Sequence, residues 1–110
     1  MCRALIVLCV AEDVDALAAL EQATVSAEWE LAHGAVEMRS ALDQVDEERP
    51  HVLVAFGDQA ELVGLVRERF GAMRIVTDRD TPGATVVATS LDEVRGLVKG
   101  LPRPGGPIGA

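Results

Sequence analysis

The chain alternates from end to end between two kinds of segment, and nothing else in it narrows the possible folds so far. Short runs of consecutive apolar residues are each followed by a stretch in which apolar groups recur every three or four positions. Ala4 to Val10 (ALIVLCV) is the first such run. A continuous run of this kind marks a strand covered on both faces. From Asp13 the period changes, and Val14, Leu17, Ala18 and Leu20 fall on one face of a helix. A second strand is predicted over Trp29 to Val36, with a helix through Met38, Ala41, Leu42 and Val45 that Pro50 forbids from continuing. A third strand over His51 to Phe56 leads to Asp58, which with Glu61 forms a capping-box pattern opening a helix through Leu62, Leu65, Val66 and Phe70. Met73 to Thr77 and Ala84 to Ala88 read as the last two strands. Ser90 to Glu93 is a second capping box before Val94, Leu97, Val98 and Leu101.

Alternation of strand and helix implies a mostly parallel sheet joined by right-handed crossovers, with helices on both faces. The expectation is a single three-layer α/β domain over residues 1–101 with five strands. The Pro- and Gly-rich segment 102–110 is expected to be a flexible tail, since it has little to bury. A length of 110 residues fits one core, and with aromatic residues at only 3% that core must be built from Val, Leu, Ile and Ala. Sites in such sheets lie beyond the carboxyl ends of the strands. The segments to interrogate are therefore 9–13, 34–37, 56–58, 77–80 and 88–90.

A formal net charge of −8, with no run of Lys or Arg, sets the chain against phosphate backbones and anionic lipid surfaces. Neither a nucleic acid nor a membrane is expected as a partner. The run Ala4 to Ala11 is far shorter than a membrane span and lacks a cleavage-site pattern, so a cytoplasmic location is expected. Cys2 and Cys9 lie in one predicted strand and its lead-in, roughly 20 Å apart when extended. They cannot bridge each other and are expected to be free thiols.

Two stretches, SALDQVDEERPHVLVAFGD and GATVVATSLDEVRGLVKGL, resemble the second helix with third strand, and the fifth strand with last helix, of the receiver domains of bacterial response regulators. The likeness extends over roughly Arg3 to Leu101 and implies a flavodoxin-like fold. Phosphoryl transfer in that family needs an acidic pair after the first strand to hold Mg²⁺ through hard carboxylate ligands. Here that pair falls on Cys9 and Val10, with Glu12 and Asp13 arriving later, where a helix dipole favours acids anyway. The phosphoacceptor position, six residues past Pro50, falls on Phe56, which has no nucleophile. Asp58 follows at a predicted helix cap. The family's strand-four hydroxyl survives as Thr77, while its lysine after strand five falls in Ala88 to Ser90. The resemblance thus implies a non-catalytic pseudo-receiver, not phosphorylated on aspartate, that needs no cofactor and works through protein contacts.

The connection between the last two strands also departs from the family. Between Thr77 and Gly83 only DRDTP remains where the family places its fourth helix, so that helix is shortened or missing. Either an extended loop crosses to a parallel fifth strand, which is the favoured expectation, or the strand reverses. A sheet edge that has lost its cover invites a partner, and a homodimer through Ile75, Val76, Val86, Val87, Leu97 and Leu101 is expected. The second reading is a small-ligand sensor whose cleft is lined by Cys9, Glu12, Asp13, Phe56, Asp58 and Thr77. A third takes Cys9 as a nucleophile, by similarity to the phosphocysteine component of sugar phosphotransferase systems. Three carboxylates follow Cys9 in VAEDVDA, which would repel phosphate and raise the thiol pKa. His33, His51, Asp58 and Asp78 have no recognisable metal-ligand spacing, and no dinucleotide or P-loop glycine pattern occurs.

Overall fold

A computed structural model describes residues 5–71 and 73–100 of the chain. Cys2, Leu101 and the segment 102–110 lie outside the described residues. The order of elements is β1 (Leu5–Val10), α1 (Val14–Thr24), β2 (Trp29–Leu31), α2 (Met38–Glu48), β3 (Val52–Ala55), α3 (Ala60–Arg69), β4 (Arg74–Thr77), β5 (Val86–Val87) and α4 (Leu91–Gly100). All five strands are parallel, in the order β2-β1-β3-β4-β5. This is the doubly wound, flavodoxin-like arrangement, whose switch point lies between β1 and β3.

The strand pleat splits the core into two layers. Leu8 and Val10 of β1, Leu53 and Ala55 of β3 and Ile75 of β4 face Ala41 and Val45 of α2 and Leu62, Val63 and Val66 of α3. Val7 and Cys9, Val52 and Val54, and Val76 face the other way, onto Leu20 of α1 and Val94 and Val98 of α4. The continuous apolar runs are thus two half-cores interleaved along each strand.

Three elements differ from expectation. The second strand is shorter, because after Leu31 the chain leaves the ladder and returns only at one bridge, between Val10 and Ala35. Gly34 permits this route, since a Cβ there would stand 3.0 Å from the Cys9 carbonyl and 2.9 Å from Leu17 Cδ1. The capping position of α3 is Gln59 rather than Asp58, and its amide Nε2 donates instead to the Phe56 carbonyl at 3.2 Å. The last strand keeps two residues of the expected five: Thr85 still donates its N–H to the Ile75 carbonyl at 2.7 Å, but its hydroxyl accepts the Ile75 N–H at 3.0 Å.

The connection from β4 to β5 does run to a parallel strand without a helix, across residues 78–85. The expected bare face is a different matter. Ile75 and Val76 are both sealed, at 0% exposure, and contribute nothing to an outer surface. Val76 is covered by α4, and Ile75 by Val63 and Val66 of α3. The loop supplies further cover, with Thr81 buried and the Gly83 backbone seated on α3 so closely that a Cβ would lie 3.3 Å from Val63 Cγ1. A turn of extended chain therefore does the work of the lost helix. Of the expected interface only Val86 and Leu97, half-buried, and Val87, 40% exposed, reach solvent among the described residues.

No helix among the described residues is long and apolar enough to cross a membrane.

Candidate functional site at the strand carboxyl ends

The register brings the ends of β1, β3 and β4 level, pairing Val10 with Ala55 and Ala55 with Thr77. Whatever follows those residues converges. After β1 come Ala11 and Glu12; after β3, Phe56 and Gly57; after β4, Asp78. Together with Ala16 and Ala19 of α1 and Leu91 of α4 they enclose a cleft of about 190 Å³. Its floor is apolar, and its polar groups are the carboxylates of Glu12 and Asp78.

Gly57 is the hinge of this arrangement. Its φ of +92° lies where L-residues are strained. Its N–H donates to Asp78 Oδ1 at 3.1 Å, which holds that side chain over the end of the sheet. On its other side lies Glu12, so close that a Cβ on residue 57 would stand 2.4 Å from Glu12 Cγ. The absence of a side chain at 57 lets two carboxylates approach the same peptide unit. Arg79 answers them. Its Nε donates to Asp78 Oδ1 at 3.1 Å, and that hydrogen bond, then the charges of Asp78, Glu12 and Asp58, hold the guanidinium pKa above its usual value.

The remaining expected site residues are dispersed. Cys9 does not line the cleft. It sits at 1% exposure beneath α1, because its place in the pleat points it into the core layer of Leu20 and Trp29. Burial pushes its thiol up from 9.0 to about 12; the neighbouring Thr24 hydroxyl opposes the rise and the Glu21 carboxylate adds to it. A nucleophile needs the reverse. Asp13 is the N-cap of α1, its carboxylate accepting the Ala16 N–H at 2.7 Å. Asp58 is exposed beside the cleft rather than in its lining. Thr77 is buried, and its hydroxyl donates to the Arg79 carbonyl at 2.7 Å, fixing the loop rather than facing the cleft. Phe56 and Glu12 are where the sequence puts them, in the cleft.

Two residues central to the site, Gly57 and Arg79, were not singled out by sequence reasoning, although both fall within or beside the strand-end segments. The signal for Gly57 was its position directly after an apolar strand, where glycine supplies positive φ. The histidines weighed as possible metal ligands lie apart from the cleft. His51 stands at the opposite end of β3, where its Nδ1 accepts the Ile6 N–H at 3.0 Å, and His33 lies beside α1 at the β2 end. Among the described residues no three His, Cys, Asp or Glu side chains stand where they could share a metal ion.

No protein-family model matches this sequence, and no curated protein is detectably similar to it. Solved structures with the same fold are numerous. CheY4, a chemotaxis response regulator of Vibrio cholerae, superposes with a TM-score of 0.69 at 19% identity, over 88% of this chain and 97% of its own. HP1043, an orphan response regulator of H. pylori, gives 0.68 at 10% identity, over 86% of this chain and 93% of its own. A cobalamin-binding protein from Desulfitobacterium hafniense shares the fold as well, with a TM-score of 0.64 at 17% identity over 88% of this chain and 58% of its own. At these identities the likeness is one of fold: the chain is a receiver-like α/β domain.

Proposed function

We propose that this chain is a pseudo-receiver, a signalling or regulatory domain that keeps the receiver scaffold without aspartyl phosphorylation and acts by binding another protein. The observation that carries this reading is the content of the strand carboxyl ends. Where phosphoryl transfer requires an acceptor and a carboxylate cage for Mg²⁺, β3 runs into Phe56 and β1 into Ala11, and both line an apolar floor. The one surviving family hydroxyl, on Thr77, is committed to the Arg79 carbonyl. Asp58 stands outside the floor of the cleft, and the buried Cys9 thiol offers no alternative nucleophile.

The test is incubation with acetyl phosphate and Mg²⁺ followed by intact-mass measurement. The mass should not change. A gain of one phosphoryl group that is lost in Asp58→Asn would refute the reading. A second copy of the chain docked at this edge would meet Val86, Val87 and Leu97 among the described residues, since Ile75 and Val76 are sealed. Sedimentation at micromolar concentration distinguishes a species of 11.6 kDa from one of twice that mass, and a dimer that survives Val87→Glu would place the contact elsewhere.

A further inference from the structure

The charge of this molecule is not spread over it. The four segments around the cleft, residues 11–15, 56–61, 78–80 and 89–93, hold nine carboxylates and a single cation, Arg79. Among the described residues the rest of the domain holds nine carboxylates and seven Lys and Arg, a net −2 against −8 for these segments, so most of the described negative charge lies at one pole. Part of that charge is occupied locally: Asp13 caps α1, and Glu93 accepts from both the N–H and the hydroxyl of Thr89, at 2.9 and 2.7 Å. Those contacts explain some of the acids at the helix starts. They do not explain Glu12 and Asp58, whose charges face Arg79, while Asp78 accepts from the Gly57 N–H and from Arg79 itself.

The cleft is lined by Ala16, Ala19, Phe56 and Leu91 as apolar groups and by Glu12 and Asp78 as carboxylates. Val14, 70% exposed, and Leu91, 37% exposed, extend the apolar surface beside it. An apolar slot ending in two carboxylates matches a side chain with an aliphatic stem and a cationic tip. We infer that this pole docks a basic segment of a partner protein, with one of its lysine side chains laid along Ala16, Ala19, Phe56 and Leu91 and its ammonium between Glu12 and Asp78. Lysine fits better than arginine because a compact ammonium can enter beside the guanidinium of Arg79, whereas a second planar fork would compete for the same oxygens. Complementary charge of this kind speeds encounter and selects partners, while the buried stem holds the complex. Arg79 is then the internal competitor that a partner's lysine displaces or joins. The inference rests on the reading of the chain as a protein-binding domain.

The experiment uses an acetylated, amidated decapeptide of alternating alanine and lysine, titrated into ¹⁵N-labelled full-length protein. Amide shifts should concentrate at Glu12, Ala16, Gly57 and Asp78. Glu12→Gln with Asp78→Asn, in which asparagine can still accept from Gly57, should weaken binding by about tenfold or more, the equivalent of about 1.4 kcal/mol. Glu47→Gln with Glu48→Gln alters net charge equally at the far end of α2 and should change it by less than about twofold, as distant exposed charges do. Arg79→Ala should tighten binding. Equal loss in both double variants would reduce the effect to general charge attraction and overturn the site. Shifts centred elsewhere, or no binding, would overturn it too. Spermidine bound at the same amides more tightly than the peptide would assign the cleft to a free polyamine and overturn the protein partner. None of these results disturbs the phosphorylation test, so the pseudo-receiver reading stands or falls separately.

Discussion

Gly57→Ala isolates the physics of the site in one methyl group. With φ at +92°, residue 57 sits in a backbone region that costs an L-residue about 1–3 kcal/mol. The methyl would also meet Glu12 Cγ, Cδ and Oε1 at 2.4, 2.6 and 2.6 Å, distances that require movement. Glu12 is exposed and can swing away into solvent, so the collision should add less than the backbone strain. In a domain of this size 1 kcal/mol corresponds to about 4–8 °C in Tm, so a fall of about 4–24 °C is expected in thermal unfolding followed by circular dichroism. A double-mutant cycle separates the two causes. In a Glu12→Ala background the strain persists and the collision is gone, so the difference between the two effects of Gly57→Ala measures the collision alone. Losing most of the penalty in that background would mean that crowding, not backbone conformation, demands glycine. A neutral or stabilising Gly57→Ala in the otherwise natural sequence would refute the positive φ and with it the geometry that joins Glu12 to Asp78.

Other expectations concern the scaffold. Iodoacetamide at pH 8 should label Cys9 only as fast as the protein unfolds, judged by peptide mapping that separates it from Cys2, because burial holds the thiol near 12. The same shift has a sign: the unfolded thiol ionises near 9.0 and the folded one near 12, so this contribution is intact below pH 9 and lost as pH rises towards 12; Cys9→Ala should blunt that alkaline loss in urea titrations. Gly64→Ala and Gly96→Ala add a Cβ into open space in mid-helix, and each should stabilise by about 0.5–1 kcal/mol, additively, since α3 and α4 cover opposite faces of the sheet. His51→Ala strips the acceptor from the Ile6 N–H, which should cost about 1–3 kcal/mol and selectively speed hydrogen exchange at Ile6.

The sheet was legible in the sequence because burial on both faces writes an unbroken apolar run, as in Val52–Ala55, where all four residues are buried. The place of Phe56 at the end of the third strand was legible too, since it can be counted off from Pro50 along a single strand. Local capping was read only in part. Asp13 caps as its position suggests, but Asp58 loses α3 to Gln59, because Gly57 at positive φ and the bond from Gln59 to the Phe56 carbonyl start the helix one residue later. The convergence of Glu12 and Asp78 was read only as far as their strand-end segments, 9–13 and 77–80, not as a meeting of these two side chains. They are 66 positions apart and meet only through two successive strand registers, each set by side-chain packing on both faces of the sheet. Cys9 failed for the complementary reason: its neighbours in sequence suggested a strand end, while the pleat sent its side chain under α1.

The missing helix carries the deeper consequence. Deleting a layer element from a parallel sheet ordinarily leaves an apolar face that must find cover. Here the fifth strand is only two residues long, and Val86 turns towards α4, so Val87 alone remains 40% exposed on the strand. Ile75, the next candidate inward, is already under α3, and the turn through Pro82 and Gly83 closes over Val63. Shortening the strand and shortening the crossover are thus compensating changes, and among the described residues they leave Val86, Val87 and Leu97 as the apolar groups of the expected interface that reach solvent. The carboxyl pole has a concave, partly apolar slot and most of the described negative charge. Recognition that depends on a partner's lysine is also recognition that weakens with salt, so raising ionic strength from 50 to 500 mM should release a partner bound at the pole while leaving one bound at Val87 in place.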